Sequence, residues 1–335
     1  MIECALQVTF ILVTYRQERF VQQALESALA QDYGPLQVII SDDCSPDGTF
    51  EIIQQMLQGY RGPHEVVAIR NSTNLGLVGN LNAAMTRASG ELVVVAAGDD
   101  VSYPERTRLI CDQYLLSGRM ANSIYSNALV LNEDGATEGL YYRWSLPTRV
   151  ELNQLSKKDA GVLGCTQAWT KNVFDIFGPL DATVQREDAI IPFRAALLGH
   201  VAYLDFPLVK YRRHGHNVHF RAAATVEGRS ELYSALRLHS EGNVAVVRAR
   251  LADIAKFRSL GWQHRDLGAA EMASTRLLAE KVLENRLLVE GRVGQVLTIL
   301  RAIILRVPLR RLIRWGLLAF SPKLYLWYQR RLAPS

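Results

Sequence analysis

Glu91–Ala97 reads ELVVVAA and runs straight into Gly98-Asp99-Asp100. A short apolar, β-branched run bounded by a turn is the pattern of a strand buried on both faces, and this one ends in two carboxylates. Two upstream runs have the same form. Val8–Thr14 (VTFILVT) ends at Thr14-Tyr15, and Leu36–Ser41 (LQVIIS) ends at Asp42-Asp43. Between them, Glu18–Ala30 sets Phe20, Val21, Ala24, Leu25, Ala28 and Leu29 at helical spacing. Thr49–Tyr60 is a second helical pattern, opened by the turn-rich SPDGT; Val66–Arg70 reads as a strand and Val78–Ser89 as a helix. Strand and helix alternating in this rhythm predict a mostly parallel sheet with helical crossovers. In such sheets ligands bind beyond the carboxyl ends of the strands, so all three polar strand ends are expected along one edge.

Further along, Pro104–Ser117 reads as a helix, Ser123–Leu131 as a strand before the turn Asn132–Gly135, Asp188–Leu198 as a helix and Val201–Leu208 as a strand. After about residue 225 proline is absent until Pro308, and Ala, Leu, Arg and Glu dominate. This predicts two regions, a domain over 1–222 and a helical region over 223–335. In the tail, Val293, Val296, Leu297, Leu300, Ile303, Ile304 and Val307 recur at steps of three and four. Pro308 then restarts the pattern, and Pro308 and Pro322 suit the first turns of successive helices.

The chain has 335 residues and a formal charge of +5, unevenly spread. Residues 291–335 hold nine basic residues and no acidic one, which leaves 29 basic and 33 acidic residues in 1–290. A mildly acidic body carries a basic amphipathic tail. With 49% hydrophobic and 21% charged residues the chain is globular rather than disordered. No apolar run reaches the roughly 20 residues of a membrane span, and the opening run, which carries Glu3, does not read as a secretory signal. Cys4, Cys44, Cys111 and Cys165 are far apart and form no CxxC pair, which argues against zinc and for a reducing, cytosolic compartment.

Carboxylates at strand ends are a common way to hold Mg²⁺ or Mn²⁺ against a diphosphate, because these hard cations prefer oxygen ligands. Each pair has a plainer alternative. Asp99-Asp100 also suits a strand-to-loop turn, Asp42–Thr49 a helix-initiating turn, and Glu187-Asp188 a helix start favoured by the dipole. Six blocks in order nevertheless resemble an inverting glycosyltransferase of family 2 with the GT-A fold, of the bacterial surface-polysaccharide type. They are Thr14-Tyr15, SDDCSPDGT at 41–49, Asn74-Leu75-Gly76 with Asn80 downstream, Gly98-Asp99-Asp100 with Pro104, Glu187-Asp188, and Tyr211-Arg212-Arg213-His214-Gly215-His216-Asn217. The resemblance covers about 1–220.

That resemblance implies roles. Asp42 and Asp43 would contact the nucleotide base and ribose, Thr14 and Tyr15 would lie against the nucleotide, and Arg70 and Asn74 would border it. Asp99 and Asp100 match the end of the family's DxD-type motif, with Ala97 where its first aspartate falls. Either Asp99 serves without that partner, or metal contact comes from Asp99, Asp100 and a third ligand, for which His214 is the candidate. Arg212 or Arg213 would balance diphosphate charge. Asp188 would be the general base, with Glu187 turned inward or acting as a scaffold. Inverting transfer is one in-line displacement at the anomeric carbon, so it needs such a base opposite the leaving group, and a metal and cations to stabilise the departing diphosphate.

The implied partners are a nucleotide-diphosphate sugar donor and a lipid-linked or other glycan acceptor. The aromatic–arginine mixture at 325–331 favours an anionic membrane surface for the tail, which would put the protein in the cytoplasm, peripheral on the inner face of the plasma membrane. Packing of the tail on the body or on a partner subunit stays open, as does a homo-oligomer; nucleic acid is not expected. His216 and His219 read as surface-loop histidines, and Trp169 as a core residue rather than a sugar platform. Two rival functions remain. One is a non-catalytic nucleotide-sugar or partner-binding module, to which Ala97 lends weight. The other is a nucleotidyltransferase, disfavoured because Thr14-Tyr15-Arg16-Gln17-Glu18 contains no glycine. No GxGxxG follows a strand and no Walker A motif is present.

Overall fold

The computed structural model describes residues 6–142, 146–157, 162–215 and 229–321. His216, His219, Pro322 and the 325–331 cluster lie outside the described residues. The first half alternates as expected: β1 (Val8–Thr14), α1 (Val21–Leu29), β2 (Leu36–Asp42), α2 (Thr49–Gly59), β3 (Glu65–Arg70), α3 (Gly76–Met85) and β4 (Leu92–Ala97). β5 (Val101–Ser102), α4 (Arg106–Leu116), β6 (Ala121–Leu131), β7 (Thr137–Leu140), β8 (Arg149–Val150), α5 (Leu152–Leu155), β9 (Ala168–Thr170) and α6 (Asn172–Phe177) follow, then α7 (Glu187–Leu198) and β10 (His200–Arg212). The C-terminal helices are α8 (Arg229–Ser259), α9 (Leu267–Val289), α10 (Arg292–Ile304) and α11 (Leu309–Phe320).

The strands form one mixed sheet in the order β3-β2-β1-β4-β9-β6-β10-β5, with β7 on β6 and β8 on β10. β1, β2, β3 and β4 are mutually parallel, as are β6 and β10, while β9 runs antiparallel between β4 and β6. Every residue of β1 and β2 is buried, which suits their mostly apolar sequence. β3 at the edge is mostly half-exposed.

One boundary differs in a way that matters for the site. The sequence predicts the last strand over Val201–Leu208, yet β10 continues to Arg212. Register shifts on either side of Pro207 absorb the missing N–H. The continuation pairs Val209 with Ser102 and Lys210 with Val101, and so carries Arg212 beside Asp99-Asp100. A second difference is at Pro308, which occupies the N-cap of α11, one position before the helix proper.

The core lies on both faces of the sheet. Val246, Ile254 and Phe257 of α8 and Leu267 and Ala270 of α9 join the same apolar cluster as Ile190, Ile191 and Phe193 of α7. A smaller cluster near the C-terminus gathers Leu283, Leu287, Ala302, Val307, Trp315 and Leu318. No helix among the described residues is long and apolar enough to cross a membrane.

Candidate active site

The carboxyl ends of the leading strands form one row. Parallel register sets Thr14 beside Asp42, Asp42 beside Arg70 and Val13 beside Ala97. Asp42 is wholly buried. It accepts hydrogen bonds from Thr14 Oγ1 (3.1 Å), the Ser45 N–H (2.9 Å) and the Ser45 hydroxyl (2.5 Å). The Arg70 Nε stands 3.8 Å from it, and Arg70 also donates to Ser45 O while lying over the Phe50 ring. Asp43 accepts from the Asn71 amide (2.9 Å) and the Leu75 N–H (2.8 Å). The two aspartates thus fasten the loops 43–49 and 71–75 around the end of β2. Asn74 is exposed and accepts the Gly76 N–H at 3.0 Å. Tyr15 is 37% exposed, with the Arg16 guanidinium over its ring; it offers an open aromatic face beside the row.

Asp99 and His214 are brought together: His214 Nε2 lies 2.9 Å from Asp99 Oδ2, and the imidazole stacks on Phe20 at 5.0 Å. Asp100 turns the other way. Its Oδ1 accepts the Arg212 N–H at 2.8 Å, and its carboxyl meets the Cys165 thiol and the buried Arg106. Burial, then the neighbouring Asp99, pushes the Asp100 carboxyl well above the usual range, and burial pulls the Arg106 guanidinium down to about 10. Arg106 donates to Val95 O (2.7 Å) and Cys165 O (2.8 Å), so it supports the chain on both sides of Asp99-Asp100. Arg212 is 5% exposed and is used as a tie. It donates to Asp99 O (3.1 Å) and Gln23 Oε1 (2.8 Å), over the Phe20 ring. Arg213 is the more open of the two, 3.7 Å from Glu138. The expected trio of Asp99, Asp100 and His214 is therefore divided into an Asp99–His214 pair with Asp100 behind it. Among the described residues no group of three acidic, His or Cys side chains is clustered tightly enough for a metal.

A divalent cation still suits the pair. Mg²⁺ sites typically use one or two carboxylates plus substrate phosphates and water, and here one carboxylate oxygen and one imidazole nitrogen already converge.

Glu187 and Asp188 open α7. Burial, then Asp188, pushes the half-buried Glu187 carboxyl up to about 8. Asp188 is buried, with Arg186 Nε 3.5 Å from its Oδ1. Arg186 in turn reaches Asn243 of α8 at 3.4 Å. The two acidic pairs meet through two consecutive residues. Gly164 lies against Glu187, and Cys165 bonds Asp100. A Cβ on Gly164 would stand 2.5 Å from Glu187 Oε1. Gly164→Ala is therefore expected to displace Glu187, to cost about 1–2 kcal/mol, and to lower kcat more than it raises KM; urea melts and steady-state kinetics check this. Gly98 is equally constrained, because a Cβ there would meet Gln17 at 2.2 Å and Thr14 at 2.8 Å.

The shift on Glu187 has a sign that can be measured. A carboxyl raised from 4.5 to about 8 contributes stability that is full below its unfolded value and is lost as pH rises through about 8. Glu187→Gln is thus expected to be more stable than wild type at pH 8.5 and to lose that advantage by pH 4; thermal melts across this range check it.

Asn80 ties α3 to the end of β2. It is buried on α3, accepts Ser41 Oγ (2.6 Å) and Asn71 (3.0 Å), and donates to Ser41 O (2.9 Å). Arg106, Cys165 and Gln23 escaped sequence reading. Trp169 is fully buried on β9, stacked with Phe174, as expected of a core residue.

Residues 9–166 match the family model described as Glycosyl transferase family 2; Asp188 and His214 lie beyond that span. An uncharacterized glycosyltransferase of Nostoc sp., alr2836, is 26% identical over 223 residues, 65% of this chain and 68% of that protein. The chain covers between 35% and 68% of the length of the curated relatives first matched. Among solved structures, Staphylococcus aureus TarS 1–349 in complex with UDP-GlcNAc superposes with a TM-score of 0.53 at 15% identity, covering 95% of this chain and 92% of that one. The mannosyltransferase PcManGT of Pyrobaculum calidifontis, in complex with GDP-Man and Mn²⁺, gives 0.50 at 16% identity over 84% and 88%. Residues 9–166, just under half of the chain, are thus similar to glycosyl transferase family 2, and the chain has the GT-A fold.

Proposed function

We propose that this chain transfers one sugar, with inversion, from a nucleotide-diphosphate donor to a glycan acceptor. The observation that carries the reading is the bridge at Gly164-Cys165, which joins an acidic pair suited to base catalysis to an acidic pair suited to diphosphate chemistry. Donors named in the complexes of TarS and PcManGT support a nucleotide sugar. In this reading Tyr15, Thr14, Asn74 and Arg70 rim the nucleotide, with Asp42 and Asp43 holding the loops that receive its base and ribose. Asp99 and His214 would hold a divalent cation, Mg²⁺ or Mn²⁺, which when bound offsets the charge of the diphosphate. Arg213 adds positive charge from the open side, and Arg212 and Asp100 keep the strand end in place. Asp188 takes the proton of the acceptor hydroxyl as it attacks the anomeric carbon. Arg186 sets a guanidinium 3.5 Å from Asp188, and Glu187, pushed up to about 8, stays protonated at neutral pH.

We assign the catalytic unit to residues 1–222 and a membrane-associating role to the basic C-terminal region. The protein would then be peripheral on the cytoplasmic face of the plasma membrane, with a lipid-linked acceptor. The test is turnover of a panel of nucleotide sugars with crude lipid-linked acceptors. Turnover of one donor, lost with a chelator and restored by Mn²⁺, is the expected result. Binding of a donor without any turnover would favour the non-catalytic module instead, to which Ala97 in place of a first aspartate points.

A further inference from the structure

α10 is built inside out. Its buried side chains are Gln295, Thr298 and Ala302, at 3%, 0% and 0% exposure. Its apolar stripe faces away from the body, with Val293 at 78%, Leu300 at 51% and Ile304 at 79%. At about 100° per residue these sets fall on opposite faces. The orientation is fixed by hydrogen bonds: Gln295 Nε2 donates to Leu287 O (3.0 Å) and Thr298 Oγ1 to Glu290 Oε2 (2.7 Å). Rolling the helix to bury its leucines would break both. α11 is apolar on both faces. Trp315, Leu318 and Ala319 face inward, while Leu309, Ile313 and Phe320 remain exposed.

The charges match this face. Residues 291–321 hold six arginines and no acidic residue. Arg311 and Arg314 point back to Glu280 and Glu284 of α9 and neutralise them. Arg292 and Arg301 fall on the two flanks of the α10 stripe, by the same spacing, and have no ion pair among the described residues. An apolar stripe edged by arginines, beside acids already paired, complements an anionic lipid surface.

We infer that the outward faces of α10 and α11 dock on an anionic bilayer, with the apolar side chains at the acyl boundary and Arg292 and Arg301 at the headgroups. This rests on the membrane-borne acceptor for its purpose but not for its measurement, which needs no acceptor and no donor. The test is co-sedimentation of the full chain with vesicles of phosphatidylcholine alone or with 30 mole per cent phosphatidylglycerol (about the anionic share that gives a strong surface potential). Binding is expected to the anionic vesicles only. Arg292→Gln with Arg301→Gln is expected to weaken it about thirtyfold, and Leu300→Asp with Ile304→Asp to abolish it. These positions are exposed, so circular dichroism melts should match wild type. Binding to neither vesicle overturns the inference, and so does equal binding to both. A solution dimer dispersed by Leu300→Asp with Ile304→Asp, without vesicle binding, also overturns it and assigns the face to a second copy. Loss of docking with sugar transfer to a soluble acceptor intact would leave the enzyme reading standing.

Discussion

Asp188→Asn is expected to lower kcat by about 10²–10⁴-fold, the usual worth of a positioned general base, with the fold and donor affinity retained. The amide has the same shape and keeps an acceptor toward Arg186, whose Nε lies 3.5 Å from Asp188 Oδ1. What it loses is the capacity to take a proton. Glu187 is not expected to substitute. Burial and the adjacent Asp188 push it up to about 8, so at neutral pH it holds its own proton. In the Asn variant one of those two causes disappears. Glu187 should then titrate lower than in wild type, without restoring turnover. The decisive measurement is a pH profile of kcat for wild type, Asp188→Asn and Glu187→Gln beside a donor-binding isotherm. If Asp188→Asn keeps full turnover, the base lies elsewhere. If it loses donor affinity in proportion to kcat, the residue acts on binding instead.

The row of strand ends was legible because it depends on local pattern. Short, mostly apolar, β-branched runs bounded by turns read as strands buried on both faces, and parallel register follows from the helices between them. Thr14, Asp42 and Asp99 could therefore be placed on one edge before any coordinates. Side-chain direction was not legible. Asp99 and Asp100 lie in the turn between β4 and β5, where no strand alternation fixes which way a side chain points. Which of them meets His214 depends on how far β10 extends past Pro207, a tertiary matter settled by irregular pairing with β6. Arg212 read as a phosphate ligand because an arginine beside a histidine looks cationic and open. Its burial under Phe20 and Gln23 involves residues about 190 positions away. The inverted polarity of α10 illustrates the same limit. Periodicity shows that a helix has an apolar face, and only packing shows which way that face turns.

Asp253→Ala is expected to cost about 3–5 kcal/mol, the loss typical when one partner of a buried ion pair is removed. Arg194 of α7 and Asp253 of α8 are each 5% exposed at the side chain and meet at 2.9 Å. Arg194 also donates to Gly178 O at 2.7 Å and lies over the Phe177 ring. Without Asp253 this guanidinium keeps one carbonyl and loses its counter-charge in an apolar setting. Burial already holds the Asp253 carboxyl above its usual range despite Arg194, so the charged form is disfavoured by folding. Stability from this group is present at low pH and declines as pH rises through its raised value. Asp253→Asn, which keeps an acceptor for Arg194 though not its counter-charge, should therefore be the milder change, and Arg194→Met with Asp253→Leu, which leaves no buried charge, milder still. The order is read from urea midpoints. The pair matters for function because α7 begins at Glu187 and Asp188. Arg250 of α8 adds a second tie, donating to Ala189 O at 2.8 Å, one residue from Asp188. Loosening α8 should therefore reduce turnover at temperatures where the chain is still folded. An Asp253→Ala protein that melts early but turns over normally below its transition would show that α8 contributes stability and does not position the catalytic helix.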